Sequence, residues 1–293
     1  MQKAGRYVIE GGGKRLRPAL LLVVSRLLGY TGDRDVCYGA VIEMIHTATL
    51  VHDDIIDHAR VRRGRATAND RWGNQLTVLL GDWLFIRSME IALEMGDLAI
   101  LRLLSRATVE MVEGEILGLQ LQHSQDISYE QYLDLIRRKT GELFSAACAL
   151  PSLFAPELER YRQPLAEYGR SLGACFQIVD DLLDVTASES RLGKPVFSDL
   201  REGKLTLPFI LLLPRLGTKQ RKAVADVVAS GEFRATEPAE LRAWLDEHQV
   251  LQRSREIAAE YGRRAVEALV ALPASPERDA LAIAPGYIIE REY

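Results

Sequence analysis

Val51 to Gly64 reads VHDDIIDHARVRRG. Asp53, Asp54 and Asp57 are packed into it, an apolar segment (GAVIEMIHTATL) runs straight into them, and Arg60, Arg62, Arg63 and Arg65 follow. On a helix Asp53 and Asp57 stand four positions apart and share a face, with Asp54 on the same rim. Exposed, such a like-charge pair costs about 0.2–0.5 kcal/mol. Half-buried, at an effective dielectric of ~20 and a separation of ~5 Å, it costs roughly 3 kcal/mol. Carboxylates placed against an apolar segment therefore demand a cation. Oxygen ligands without a neighbouring Cys suit a hard ion, Mg²⁺ before Zn²⁺.

Phe176 to Asp184, FQIVDDLLD, repeats the pattern with Asp180, Asp181 and Asp184, and Asp180 and Asp184 are again four apart. One DDxxD is weak, since a charge cluster is usually a solvated helix end. Two, each at the end of an apolar helical run, point to a shared metal site. A third stretch, Gly11-Gly12-Gly13-Lys14-Arg15-Leu16-Arg17-Pro18, brings glycines that admit an anion close to the backbone. Lys14 and Arg17 add charge, and Pro18 suits the first turn of a helix. Exposed N–H groups there favour phosphate. It is not a P-loop, because GxxxxGK[ST] is absent.

The chain has 293 residues, enough for one large or two medium cores. Its net charge of −4 leaves no general footprint for nucleic acid or an anionic membrane. Positive charge is local, which suits a small anionic ligand. Cys37, Cys148 and Cys175 form no pairing pattern and read as core residues of a reducing compartment. The longest apolar run, Pro18 to Val24, is too short to span a bilayer, so no transmembrane segment is expected and a cytoplasmic location is the default. A 3.6-residue period dominates. It predicts helices over 17–29, 34–59, 71–94, 97–122, 128–150, 157–186, 201–214, 217–230, 237–247, 249–271 and 276–291. Ser128 with Gln131 reads as a capping box. The expectation is an all-α, single-domain helical bundle.

GGKRLRP, HTATLVHDDIID with RRG behind it, KTG at Lys139–Gly141, FQIVDDLLD, and GKP followed by DLREGKLTLP occur in that order. Together they resemble the trans-type polyprenyl diphosphate synthases, from Gly11 to about Tyr293. The resemblance implies an isoprenoid-synthase bundle around a deep central cavity, one polyprenyl synthetase domain over 1–293, and a further helix ahead of the glycine run, truncated here. It implies a homodimer that joins isopentenyl diphosphate head-to-tail to an allylic diphosphate, with no nucleic-acid partner.

The chemistry accounts for the residue types. The allylic C–O bond must ionise, and divalent ions bridging carboxylates and diphosphate stabilise the charge that develops. By resemblance Asp53 and Asp57 hold two Mg²⁺ with Asp54 in outer support, and Asp180 holds a third with Asp181 and Asp184 assisting. Arg62, Lys139, Lys194 and Lys204 match cations for the allylic diphosphate. Lys14, Arg17, His46 and Arg63 match the isopentenyl diphosphate pocket. Gln177 and Thr140 would lie near the reacting carbons, and the departing diphosphate would take the final proton. His52 and His58 are assigned no metal.

Ala48 and Thr49, five and four positions before Asp53, are both small. In relatives making short products, aromatic residues here close the floor. Small ones predict a product longer than C20, between C30 and C45, with octaprenyl (C40) as the point expectation. The rival readings are a shorter-chain (farnesyl or geranylgeranyl) synthase, a terpene cyclase, which needs only one diphosphate site, and a non-catalytic subunit, which would have lost carboxylates or basic anchors.

Overall fold

The computed structural model describes residues 2–186 and 196–291. Helices dominate them, as the 3.6-residue period requires, and the one sheet among the described residues is a two-stranded hairpin. The fold is all-α. No helix among the described residues is long and apolar enough to cross a membrane. The chain divides into two compact units, Met1–Val109 with Leu143–Ala166 and Ala271–Leu281, and Glu110–Glu142 with Glu167–Val270 and Ala282–Tyr293.

In the first unit a short helix, α1 (Gln2–Ile9), precedes the glycine run, and α2 (Leu16–Leu27) follows it. The centre is α3 (Arg34–Ile56), against which α5 (Asn74–Glu94) packs. Tyr38, Val41, Ile42, Ile45, Ala48 and Val51 recur every three or four positions along α3, and all are buried. Each large aliphatic side chain so placed contributes roughly 1.5–3 kcal/mol. A hairpin of β1 (Val61–Arg62) and β2 (Arg65–Ala66) and the short α4 (Ala68–Trp72) connect α3 to α5. The 71–94 expectation is therefore two helices broken at Gly73, and the hairpin was not expected at all. It forms because Arg63 (φ 52°) and Gly64 (φ 72°) supply the two positive φ values of a type I′ turn.

The helix α6 (Leu98–Leu121) contributes to both units. In the second unit α7 (Tyr129–Ile136) opens on the expected capping box, Ser128 accepting from the Gln131 N–H (3.1 Å) and Gln131 accepting from the Ser128 N–H (2.8 Å). The expected 128–150 helix then departs from α geometry. Arg137–Gly141 is a π-turn before α8 (Glu142–Ala149), which from Leu143 on belongs to the first unit, and Pro151 ends α8 in a 3₁₀ turn over Leu150–Leu153. One extra residue in a turn rotates the side chains that follow, and such turns concentrate at functional positions. Here the turn carries Lys139 and Thr140. Gly114 of α6 lets the backbones approach, since a Cβ there would lie 2.8 Å from the Lys139 nitrogen. α9 (Arg162–Thr186) carries the second aspartates, and α10 (Ser198–Arg201), α11 (Leu207–Leu212), α12 (Thr218–Ser230), α13 (Pro238–Glu247), α14 (Val250–Ala268) and the end of α15 (Pro276–Glu290) complete the unit. The expected 201–214 helix is thus α10 and α11 with a turn between them.

Candidate functional site

The first carboxylates ride on the C-terminal end of α3. Asp57 closes the helix, its N–H donating to the Asp53 carbonyl at 2.8 Å. Helix ends of this kind carry partial negative charge, so Asp53 and Asp57 stand in an adverse field that a bound cation would relieve. Both are half-buried. Asp54 turns inward instead. It is 5% exposed, and Arg62 Nε donates to its Oδ1 at 2.5 Å. Burial pushes its carboxyl up in spite of Arg62. Asn69 Nδ2 ties the same turn down, donating to the Asp54 carbonyl (3.2 Å) and the Ala59 carbonyl (3.0 Å).

The hairpin is laced to the glycine run. Arg63 Nη1 donates to the Gly12 carbonyl, Arg65 Nη1 to the Glu10 carbonyl (3.2 Å), and the Tyr7 hydroxyl to the Ala66 carbonyl (2.8 Å). Gly11, Gly12, Asp54, Arg62 and Arg63 line a small cavity. Lys14 is exposed on the loop. Arg17 of α2 lies with its guanidinium 4.4 Å over the Phe144 ring. Its Nε is buried without a partner. Burial lowers its pKa to about 10 even though Glu43 pulls the other way. The Glu43 carboxylate pairs with Arg15.

His46, two turns before Asp53, has its imidazole held well below the usual histidine range, by burial first and then by Arg17, Arg63, Arg62 and Arg15. Four cations felt by one neutral imidazole describe a site electrostatically short of an anion. The consequence for stability has a definite sign. A folded-state pKa depressed below 6.5 means that the unfolded chain binds the proton first, so stability falls as pH drops below about 6.5. His46→Gln is expected to flatten this slope in melting temperature measured from pH 7.5 to 5. An unchanged slope would remove His46 as its origin. Of the floor residues, Ala48 is buried among Val51, Leu80 and Leu84, and Thr49 donates its hydroxyl to the His46 carbonyl at 2.8 Å.

In the second unit the aspartates also divide by direction. Asp180 is exposed, and Arg291 donates to it at 3.1 Å. Arg291 itself is nearly buried, 4.2 Å over the Phe176 ring, and also donates to the Phe176 carbonyl. Asp181 is buried and accepts from the Tyr132 hydroxyl (2.7 Å) and from Gln177 Nε2 (2.9 Å). Burial, with Asp199 and Asp180 nearby, pushes its carboxyl well up against those two donors. Asp184 is buried too, accepting from the Ser198 hydroxyl (2.6 Å) and the Asp199 N–H (3.2 Å), which anchors the returning chain. Thr140 donates to Gln177 Oε1 at 2.8 Å. Lys139 pairs with Glu115, and Lys204 with Glu202 at 2.8 Å. Lys194 lies outside the described residues.

The first unit thus gathers Asp53, Asp54, Asp57, Lys14, Arg17, His46, Arg62 and Arg63, and the second gathers Asp180, Asp181, Asp184, Lys139, Thr140 and Gln177. Tyr132, Arg291 and the hairpin were missed from sequence. For the last, Gly64 supplies a turn residue, while Arg63 is not a residue type that favours positive φ. Among the described residues no three His, Cys, Asp or Glu side chains stand assembled as a cage. The least buried carboxylates of the two sets are Asp53 and Asp57, one turn apart on α3, and Asp180. That set suits an ion held by one or two carboxylates that fills its remaining positions with water and substrate phosphate, the habit of Mg²⁺.

Residues 1–244 match the sequence profile of the polyprenyl synthetase family. The chain is 38% identical over 281 residues to the octaprenyl diphosphate synthase of Escherichia coli, covering 96% of this chain and 87% of that protein. Its structure is similar to a decaprenyl diphosphate synthase from Rhodobacter capsulatus, with a TM-score of 0.92, 38% identity, and 99% and 90% of the two chains covered. It is equally similar in TM-score to a polyprenyl synthase from Caulobacter crescentus, complexed with calcium and isoprenyl diphosphate, at 34% identity over 100% of this chain and 89% of that one. Enzymes of this group are generally dependent on divalent metal. In profile, in sequence along nearly its whole length and in fold, the chain belongs to the polyprenyl synthetase family.

Proposed function

We propose that this chain joins isopentenyl diphosphate to an allylic diphosphate and repeats the addition to build a long all-trans polyprenyl diphosphate. The observation that supports this reading is a cluster of cations around one neutral histidine: Arg17, whose Nε is buried without a partner, Arg63, Arg62 and Arg15 all act on His46. A cyclase has one diphosphate to bind; elongation has two.

Isopentenyl diphosphate is held by Lys14, Arg17, His46 and Arg63. Arg17 presents its guanidinium in the planar fork that suits phosphate oxygens. Asp53, Asp57 and Asp180 hold divalent ions, of which three Mg²⁺ are proposed. When bound, these ions stabilise the charge on the departing allylic diphosphate. Asp54 fixes Arg62 toward that diphosphate, and Lys139, Lys194 and Lys204 add charge to it. Asp181 and Asp184 act as positioning carboxylates within their own unit. Thr140 and Gln177 turn dipoles toward the developing allylic cation. The released diphosphate takes the proton after the new C–C bond forms. A homodimer is proposed through the apolar stripes left exposed on α5 (Leu79, Trp83, Ile86, Leu93) and α6 (Val109, Val112, Ile116, Leu119). Sedimentation equilibrium showing a monomer at working concentration contradicts it.

Incubation with farnesyl diphosphate, labelled isopentenyl diphosphate and Mg²⁺, followed by dephosphorylation and reverse-phase separation, tests the reading. Extended products of C30 to C45, centred on C40, are expected. Cyclised hydrocarbon, or turnover only with a second chain, would assign the site to one of the rivals. Ala48→Phe is expected to shorten the product by several units, at a packing cost of about 1–3 kcal/mol because the position is already filled. An unchanged distribution from a folded variant removes Ala48 from the floor.

A further inference from the structure

Tyr132 was not among the sequence candidates. Its ring is buried in α7, and its hydroxyl donates to Asp181 Oδ2 at 2.7 Å. From there the bonds run on without a gap. Gln177 Nε2 donates to Asp181 Oδ1 at 2.9 Å, and Thr140 Oγ1 donates to Gln177 Oε1 at 2.8 Å. The three elements joined are α7, α9 and the π-turn.

The Gln177 amide turns its NH₂ toward Asp181 Oδ1. Its carbonyl then faces Thr140, and the Thr140 hydroxyl must spend its single proton on that carbonyl. The Thr140 oxygen is left presenting lone pairs, the end of the dipole that stabilises positive charge. The direction of these bonds follows from the Gln177 amide, whose NH₂ meets the carboxylate at the buried end and whose carbonyl meets Thr140. That carboxylate is held by one phenol and one amide. Loss of the phenol would leave Asp181 held by one amide and free to swing, and Gln177 free to reverse.

We infer that Tyr132 is a positioning residue for the prenyl transfer. Acting through Asp181, its hydroxyl sets the polarity of the Gln177–Thr140 pair. This inference rests on the proposed prenyltransferase reading. Tyr132 touches no reacting atom in it.

Tyr132→Phe keeps the ring and removes the donor. In the full-length protein with Mg²⁺, kcat is expected to fall about ten- to a hundredfold, the scale of a small misplacement of reacting groups. KM for both diphosphates and the Mg²⁺ concentration for half-maximal rate should hold within about twofold. The decisive arm is a double-mutant cycle with Gln177→Leu. If Tyr132 acts through Gln177, Tyr132→Phe costs nothing further in that background; a merely structural contribution adds. Should Tyr132→Phe not fold, Thr140→Val opens the chain at its other end. The expected result is the same kcat loss and the same non-additivity with Gln177→Leu. Unchanged kcat, additive losses, or a rise in KM that accounts for the whole effect would overturn the inference while leaving the prenyltransferase reading intact. A wild-type protein that extends no allylic diphosphate overturns both.

Discussion

Asp53→Ala and Asp180→Ala are each expected to lower turnover by about 10²–10³-fold, the range for losing a group that stabilises transition-state charge. The two sites should fail in different ways. Asp53 shares the last turn of α3 with Asp57, so its loss removes one of two adjacent donors and also relieves their repulsion and the adverse helix dipole. Asp180 is paired with Arg291, whose side chain is 7% exposed. Asp180→Ala leaves a nearly buried guanidinium with one carbonyl acceptor, so stability should fall along with rate. Arg291→Met in the same background separates the two effects, restoring the melting temperature without restoring turnover. Near-normal rates for either aspartate variant would contradict the metal-ligand roles. Single-turnover measurement with the allylic substrate should place the loss in the ionisation step.

Arg17→Met carries the second large effect and is expected to move stability and activity in opposite directions. A cation whose Nε is buried without a partner, and whose pKa burial lowers to about 10, costs the ligand-free fold free energy. Methionine fills similar space against the Phe144 ring without that cost, so the ligand-free protein should melt higher. Removing one member of a buried charge-assisted contact costs about 2–5 kcal/mol of binding, so KM for isopentenyl diphosphate should rise by about 10²-fold. The allylic KM should change little, because the residues proposed for that substrate lie elsewhere in the chain. Strain or charge kept at the expense of stability is the usual mark of a working site. A lower melting temperature with unchanged KM would make Arg17 a structural cation. His46 offers a check within the same site: bound diphosphate should lift its depressed pKa, because the anion reverses the field of the four arginines.

What the amino-acid order determined unaided was everything that depends on spacing along one helix. Asp53 with Asp57 and Asp180 with Asp184 fall one turn apart by periodicity alone, and His46 falls two turns before Asp53. The Ser128–Gln131 cap closed as its residue types require. Helix positions were readable because a stripe such as Tyr38 to Val51 must recur every three or four residues to bury one face. Only the tertiary structure decided which carboxylate of each set turns inward. Asp54 does so because Arg62 swings back on a hairpin, and Asp181 because Tyr132, 49 positions away, reaches it from another helix. The π-turn under Lys139 and Thr140 is likewise invisible to periodicity, and its backbone packs against Gly114 of a different helix, where a Cβ would lie 2.8 Å from the Lys139 nitrogen. Spacing fixes neighbours within a turn, whereas burial, pairing and the direction of a hydrogen bond are settled by residues that only folding brings within a few ångströms.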